Sequence, residues 1–350
     1  MGKVTLQTVA DAVGVSRMTV SNAFSRPDQL SAPLRERILE AARELGYAGP
    51  DPSARALARG STGAVGVVLT DSLEYPFTDE VAMSFLGAIA RELEPTGLAL
   101  TLLSGAESED RVPARDVAMD GALVYSCDPS SAAVEWLGKR GLPMVFVDQA
   151  PAKGIPSVNV DDRGGARAAA QHLVDLGHRR IGLVLSVPAA PYGLVDDPLD
   201  GPLGHPVRQR LLGWLDVLAA AGITSRAARI PMSDPDSCVE AAQALLRLED
   251  RPTAILCFSD VIAATVVQVA QDLGLQVPSD VSVVGFDDSP VAARVRPALT
   301  TVRQDFPEKG RAAAAALTAA LSGGAPQRAR HTVLPTALVV RESTAPPAAR

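Results

Sequence analysis

The sequence predicts an all-α head followed by an α/β core of two doubly wound parallel-sheet subdomains. Three observations carry that prediction. The first 47 residues hold three short stretches with helical apolar spacing, each preceded by Thr or Ser. From Ala64 onward, continuous apolar runs alternate with helical segments. The alternation then restarts after "VNVDDRGGARAAAQHLVDLGH". Continuous apolar strands between helices indicate a parallel sheet covered on both faces.

In the head, Thr5 can cap "LQTVADAV", where Leu6, Val9, Ala10 and Val13 share a face. Gly14 ends that helix as a left-handed glycine does. Ser16 can cap "RMTVSNAF", which turns Val20 and Ala23 inward. Ser31 can cap "APLRERILEAARELGY", with Ile38, Ala41, Ala42 and Leu45 as its stripe. Next comes "AGPDPSARALARGSTG", with Asp51 as a cap candidate and Gly60 and Gly63 as stops. Its "SARALAR" is about two turns long, too short to be stable alone in water.

The first core unit reads through "AVGVVLT", "LALTLLS", "GALVYS" and "PMVFVD". The second reads through "RIGLVLS", "RLLGWLDVLAAAG", "AILCFSD", "VIAATVVQVAQDLG" and "VSVVGFDD". Two such units in series make a two-lobed body. Residues 187–206, "VPAAPYGLVDDPLDGPLGHP", break the pattern as a long Pro- and Gly-rich connection.

The 350 residues suffice for two or three domains, and 47% hydrophobic with 21% charged residues describes a globular chain. Cys127, Cys238 and Cys257 lack metal spacing, and two of them sit in apolar runs. Buried reduced thiols and a cytoplasmic setting follow as expectations. The start, "MGKVTLQTVADAVG", has neither an apolar h-region nor a cleavage site, and no apolar run approaches a membrane span. The net charge of −7 is uneven: residues 1–60 carry eight Lys/Arg against six Asp/Glu, leaving −9 for the rest. A slightly basic head on an acidic body is compatible with a small nucleic-acid module joined to a non-binding domain.

Helix, glycine turn, capped second helix and third helix form a helix-turn-helix arrangement, whose second helix enters the major groove. Arg17, Met18 and Asn22 lie at its start and along one exposed edge. The stretch "VTLQTVADAVGVSRMTVSNAFS" resembles the head of the lactose-repressor (LacI/GalR) family of bacterial regulators. The match rests on Thr5, Val9, Ala10, Gly14, Val15, Ser16, Thr19, Val20 and Ser21, and continues through Ser31, Arg35 and "ELGY".

The resemblance implies roles. Arg17, Met18 and Asn22 stand where family members choose their operator bases. Thr5, Ser16, Thr19, Ser21 and Ser31 stand where they touch phosphates or position the helix, contacts that fix register. Many members carry Arg where this chain has Asn22. Asn pairs with adenine and Arg with guanine, so the operator should depart from the commonest half-site there. Met18 offers only apolar contact, as to a thymine methyl. The linker resembles the family's hinge helix, with Leu57 as the minor-groove wedge and Ala54 and Arg55 beside it. It is one residue longer than usual between Tyr47 and Ala54.

The rest, to about residue 343, resembles the family's effector core, itself similar to periplasmic sugar-binding proteins. "SVVGFDDS", "LTTVRQDF" and "LPTALVVREST" carry the match. Ligands of such folds bind at the carboxyl ends of strands, between the subdomains. The resemblance implies effector contacts at Asp148, Arg210, Ser259 and Asp287, with Gln304 and Phe306 nearby. Asp161 and Asp260 also end apolar strands. Capping the next helix is the first reading of both, with Asp260 kept among the ligand candidates. Tyr75 and Phe77 could give a sugar ring an aromatic face. Carboxylates, a guanidinium and an amide suit a polyhydroxylated ligand, whose hydroxyls both donate and accept. Ser259 stands where several sugar-binding relatives have an amide.

The expected organisation is a DNA-binding head at 1–49, a hinge at 50–61, a core at 62–345 and a flexible tail at 346–350. The N-subdomain is expected at about 62–161 plus 305–330, and the C-subdomain at about 162–304 plus 331–345. No Gly-x-Gly-x-x-Gly follows the first strand, and phosphate-loop, Gly-x-Ser-x-Gly and metal-spaced His patterns are missing. An enzyme is therefore not expected, nor a cofactor. An exported sugar-binding protein would explain the body but not the head. The expected function is a cytoplasmic, homodimeric repressor that binds pseudo-palindromic double-stranded operator DNA under control of a small molecule, a sugar. A corepressor- or nucleobase-responsive regulator of the same fold is the alternative.

Overall fold

The computed structural model describes residues 4–70, 73–74, 77, 80–105, 111–126, 131–231, 234–323 and 330–348. The chain divides at Gly63 into two compact units.

The head follows its caps. Helix α1 (Leu6–Val13) opens on Thr5, whose side chain accepts from the Thr8 amide at 3.4 Å while Thr8 Oγ1 accepts from the Thr5 amide at 3.2 Å. This reciprocal pair satisfies two otherwise orphaned donors. Gly14 closes the helix at φ 76. Helix α2 (Arg17–Ser25) opens on Ser16, which accepts from the Thr19 amide at 3.1 Å. Helix α3 (Ala32–Glu44) begins after Ser31, but the serine hydroxyl makes no capping bond. That corrects the expected cap: Ser31 holds the N-cap backbone geometry alone. Val9, Ala10, Val20, Ala23, Ile38 and Ala42 form the buried centre, bordered by Phe24 edge-on to Tyr47 at 5.8 Å. Each large aliphatic among them is worth about 1.5–3 kcal/mol of burial, enough to hold three short helices together. Leu45, expected in the stripe, is exposed instead.

Helix α4 (Pro52–Arg59) starts at Asp51, which accepts from the amides of Ser53 and Ala54, and stops at Gly60. Leu57 is 87% exposed on it.

The second unit contains two sheets. The first runs β12-β5-β4-β3-β1-β2 and is parallel throughout, with β1 (Ala64–Leu69), β2 (Ala99–Ser104), β3 (Gly121–Tyr125), β4 (Met144–Val147), β5 (Ser157–Val160) and β12 (His331–Leu334). Helices α5 (Glu80–Leu93), α6 (Pro113–Asp116), α7 (Ala132–Lys139) and α13 (Phe306–Leu321) cover it. The second sheet runs β10-β9-β6-β8-β7, with β6 (Ile181–Val187), β7 (Gly193–Val195), β8 (Arg226–Pro231), β9 (Ala254–Cys257) and β10 (Ser282–Val284). Only its edge strand β7 is antiparallel. Helices α8 (Asp162–Asp175), α9 (His205–Ala220), α10 (Pro235–Leu246), α11 (Asp260–Asp272) and α12 (Pro290–Arg294) belong to it. Strand β11 (Thr301–Arg303) pairs antiparallel with β13 (Ala337–Val339) beside this sheet.

The chain therefore passes between the two sheets three times, after β5, after β11 and after β12. Strand β12 corrects an expected boundary. Residues 331–334 pair with 157–160 in the first sheet rather than joining the C-subdomain, and the chain returns only at β13. The tail residues 349–350 and Cys127 lie outside the described residues. Cys238 and Cys257 are buried in one core cluster, and burial pushes the Cys238 thiol up to about 11.

The 187–206 segment is held from beneath. Arg229, fully buried on β8, donates to the carbonyls of Asp200 and, at 3.3 Å, Ala189. Strand β7 lies within the same segment. The segment returns to the fold at α9, which packs so closely on α8 that a Cβ on Gly213 would sit 2.5 Å from the Arg163 carbonyl oxygen.

Candidate recognition helix and ligand cleft

In the head unit, Arg17 and Met18 are exposed at the first turn of α2, Met18 at 69%. The Ser16 cap sets where that turn begins. Asn22 lies one turn on, and its Nδ2 donates to Gln29 Oε1 at 3.2 Å. Gln29 ends the short 3₁₀ turn Pro27–Gln29 and was not singled out by sequence. Thr5, Ser16 and Ser31 are exposed and Thr19 and Ser21 are partly exposed. Arg35 on α3 donates to the Ala23 carbonyl at 3.3 Å and so ties α3 to the end of α2. Ala54, Arg55 and Leu57 are all exposed on α4, which buries no described residue.

In the second unit, a cavity of about 240 Å³ lies between the carboxyl ends of the two sheets. Asp148 follows β4, Asp287 follows β10 and Arg210 lies on α9, and all three line it with Gln304 and Ser259. Backbone strain marks the place. The described non-glycine residues with left-handed φ are Ser126, Asp148, Asp287 and Asp288, at 54°, 53°, 116° and 55°. All follow strands, and the first three line the cavity. Such conformations cost roughly 1–3 kcal/mol each and persist where the surroundings dictate them.

The polar side chains form one connected chain. Arg210 Nε donates to Asp162 Oδ1 at 2.8 Å, and Nη1 donates to the Phe258 carbonyl at 2.6 Å. Nη1 also lies 3.4 Å from Asp287 Oδ1. The guanidinium stacks on Phe286 at 3.6 Å and faces Phe258 at 4.5 Å. Gln304 Nε2 donates to Asp287 Oδ1 at 2.7 Å, and Lys309 Nζ donates to Gln304 Oε1 at 2.9 Å and Asp148 Oδ2 at 2.5 Å. The chain thus runs from Asp162 in the second subdomain to Asp148 in the first. Burial pushes the Asp162 carboxyl above the ordinary range against the pull of Arg210. Burial likewise lowers the pKa of His205, which opens α9.

Two expected ligand residues, Asp260 and Phe306, stand elsewhere. Asp260 is fully buried and is not among the described residues lining the cavity. Its oxygens accept from the Ser289 amide and the Thr301 hydroxyl, so it clamps the second subdomain instead of facing a ligand. Phe306 is buried beside Lys309 and lines a neighbouring depression with Asp288 and Ser289. Tyr75 lies outside the described residues, and Phe77 is exposed. Ser259 lines the cavity while its Oγ accepts from the Ile262 amide at 3.3 Å, and Asp161 caps α8 through the Gly164 amide. Asp162, Phe258 and Lys309 complete the site and were not singled out by sequence.

A helix-turn-helix head on a two-lobed, parallel-sheet body with a cleft between its lobes defines a ligand-responsive transcription regulator. The family model for bacterial regulatory proteins of the lacI family matches residues 5–49, and that for a periplasmic binding protein-like domain matches residues 170–344. An HTH-type transcriptional regulator of Mycolicibacterium smegmatis (strain ATCC 700084 / mc(2)155) is 38% identical over 364 residues, covering 99% of this chain and 98% of the relative. The structure of the lac repressor dimer bound to operator and the anti-inducer ONPF aligns at TM-score 0.79 and 27% identity, over 98% of this chain and 100% of that one. The complex of the transcriptional regulator CelR with cellobiose aligns at TM-score 0.71 and 28% identity, over 97% and 100%. The chain belongs to the lacI family of bacterial regulatory proteins: it is a DNA-binding transcription regulator and not an enzyme.

Proposed function

We propose that the protein is a cytoplasmic repressor that binds a pseudo-palindromic operator as a homodimer and releases or tightens its hold when a sugar occupies the cleft. The carrying observation is the cluster of Asp148, Arg210, Asp287 and Gln304 lining the cavity between the two sheets. Those groups donate and accept in alternation, as a polyhydroxylated ring requires. The volume of about 240 Å³ suits a single ring better than a chain of rings. The cellobiose named with the CelR structure supports the same class. Of the sequence candidates, Asp148, Arg210, Ser259, Asp287 and Gln304 are the ligand residues in this reading.

In the head, Arg17, Met18 and Asn22 read bases. Thr5, Ser16, Thr19, Ser21 and Ser31 hold phosphates, and Leu57 enters the minor groove beside Ala54 and Arg55. Residues 1–49, 50–61 and 62–345 are the head, hinge and core of this scheme. Two heads need a two-fold axis to read two half-sites. Control requires only that the ligand prefer one arrangement of the lobes.

A thermal-shift screen of the full chain against sugars, sugar phosphates and nucleobases tests the ligand class. A ligand at about 100 times its dissociation constant adds roughly 2.7 kcal/mol. Operator binding repeated with the hit gives the sign of control. A nucleobase hit with silence from sugars would overturn the sugar reading and leave the regulator standing.

A further inference from the structure

Lys309 is the least expected group in the cleft. It lies on α13, is 1% exposed, and points its ammonium at Asp148 Oδ2 and Gln304 Oε1. The rings of Phe306, Tyr125 and Phe85 surround Nζ at 5.1, 5.9 and 6.0 Å. A buried cation is kept only with a counter-charge and satisfied hydrogen bonds, and Lys309 has both.

The consequence falls on Asp148. With Oδ2 engaged by Lys309, Oδ1 is buried and has no hydrogen-bond partner among the described residues. A carboxylate oxygen can only accept, so the missing partner is a donor. Asp148 lines the cavity, and a ligand hydroxyl closing on Oδ1 from there would supply that donor. Arg210, the other cation here, is committed to Asp162, Asp287 and the Phe258 carbonyl. Around this chain, the carboxylates of Asp148, Asp162 and Asp287 outnumber the cations three to two. No positive charge in it is left over for an anionic ligand.

We propose that Lys309 sets the class of ligand: by engaging one oxygen of Asp148 and leaving the other unpaired, it selects an uncharged polyol that donates a hydroxyl to Asp148 and rejects phosphorylated or carboxylated relatives. The proposal rests on the sugar-cleft reading above. Lys309 is a positioning residue here, acting on the ligand through Asp148.

The test is calorimetric titration of the full chain with matched pairs: glucose and glucose 6-phosphate, ribose and ribose 5-phosphate, galactose and galactose 1-phosphate. The neutral member of the binding pair should be tighter by at least about tenfold. Asp148→Asn leaves the Lys309 ammonium without its counter-charge, and the ratio should fall about tenfold or more. The double variant Asp148→Asn/Lys309→Met removes the selecting carboxylate without leaving a bare cation, so its ratio should fall below the wild type but stay above that of Asp148→Asn. A merely structural role would move both variants alike. Tighter binding of a phosphate ester to the wild type, or an unchanged ratio in Asp148→Asn, overturns the inference and leaves the sugar reading intact. A nucleobase binding where every sugar pair is silent overturns the sugar reading itself, and silence from all compounds overturns both.

Discussion

Asp260 and Thr301 stand 41 residues apart and meet inside the second subdomain, where the threonine hydroxyl donates to the carboxylate at 2.5 Å. The other oxygen accepts from the Ser289 amide at 2.7 Å. One carboxyl thus joins the start of α11, the turn after β10 and strand β11.

Burial pushes that carboxyl up to about 6 despite its donors. A carboxyl whose folded pKa is raised stabilises the fold fully below its unfolded value, about 4, and loses that contribution as pH rises through about 6. Between about pH 7.5 and pH 5 the wild type should gain roughly 1–2 kcal/mol relative to Asp260→Asn. His172, His178 and His205, whose pKa values burial lowers, act in the opposite sense but equally in both proteins. Urea denaturation at the two pH values measures the difference, and parallel pH profiles would contradict the clamp.

Gly213 is a contact point between α8 and α9. An added Cβ would also lie 2.8 Å from Ala166 Cβ. Gly213→Ala should cost roughly 1–3 kcal/mol by overpacking. Because α9 carries Arg210, the same change should weaken ligand binding from a distance. Denaturation and calorimetry on one preparation check both effects.

Arg17→Ala should relax operator choice at one base pair, at a cost of roughly 1–3 kcal/mol. Equal loss across all single-base variants would show a phosphate role instead. At Asn22 the preferred base should be adenine, since an amide both donates and accepts. Competition binding over a library of operator variants resolves both positions.

Leu57 is the proposed minor-groove wedge. Exposed at 87%, it should be replaceable by Ala with a change in stability within about 0.5 kcal/mol. Operator bending, read by energy transfer between end-labelled dyes, should fall. An unchanged bend would move the wedge to another residue of α4.

The local signals in the sequence were strong where partners are near in the chain. Thr5, Ser16, Asp51 and Gly14 announce the head's helix ends, and apolar runs announce the two sheets. Strand β12 is not legible locally because its partner, β5, lies more than 170 residues upstream, and pairing at that range leaves no local trace. A lysine in "FPEKGRAAAAAL" reads as part of a solvated face, which hides Lys309 in the sequence. Its helical phase pointed inward all along, in step with Phe306, Ala313 and Leu317, all buried on α13. At Asp260 the sequence is ambiguous, because strand-end aspartates face a cleft or a helix start with equal ease. Only the Thr301 hydroxyl, across the fold, decides between them.

The three passages of the chain between the sheets act together as a mechanical joint. One tether would permit twist, slide and bend alike. Three crossings constrain the lobes more than one would. Lengthening a single crossing by a flexible residue should therefore disturb signalling more than it disturbs either lobe.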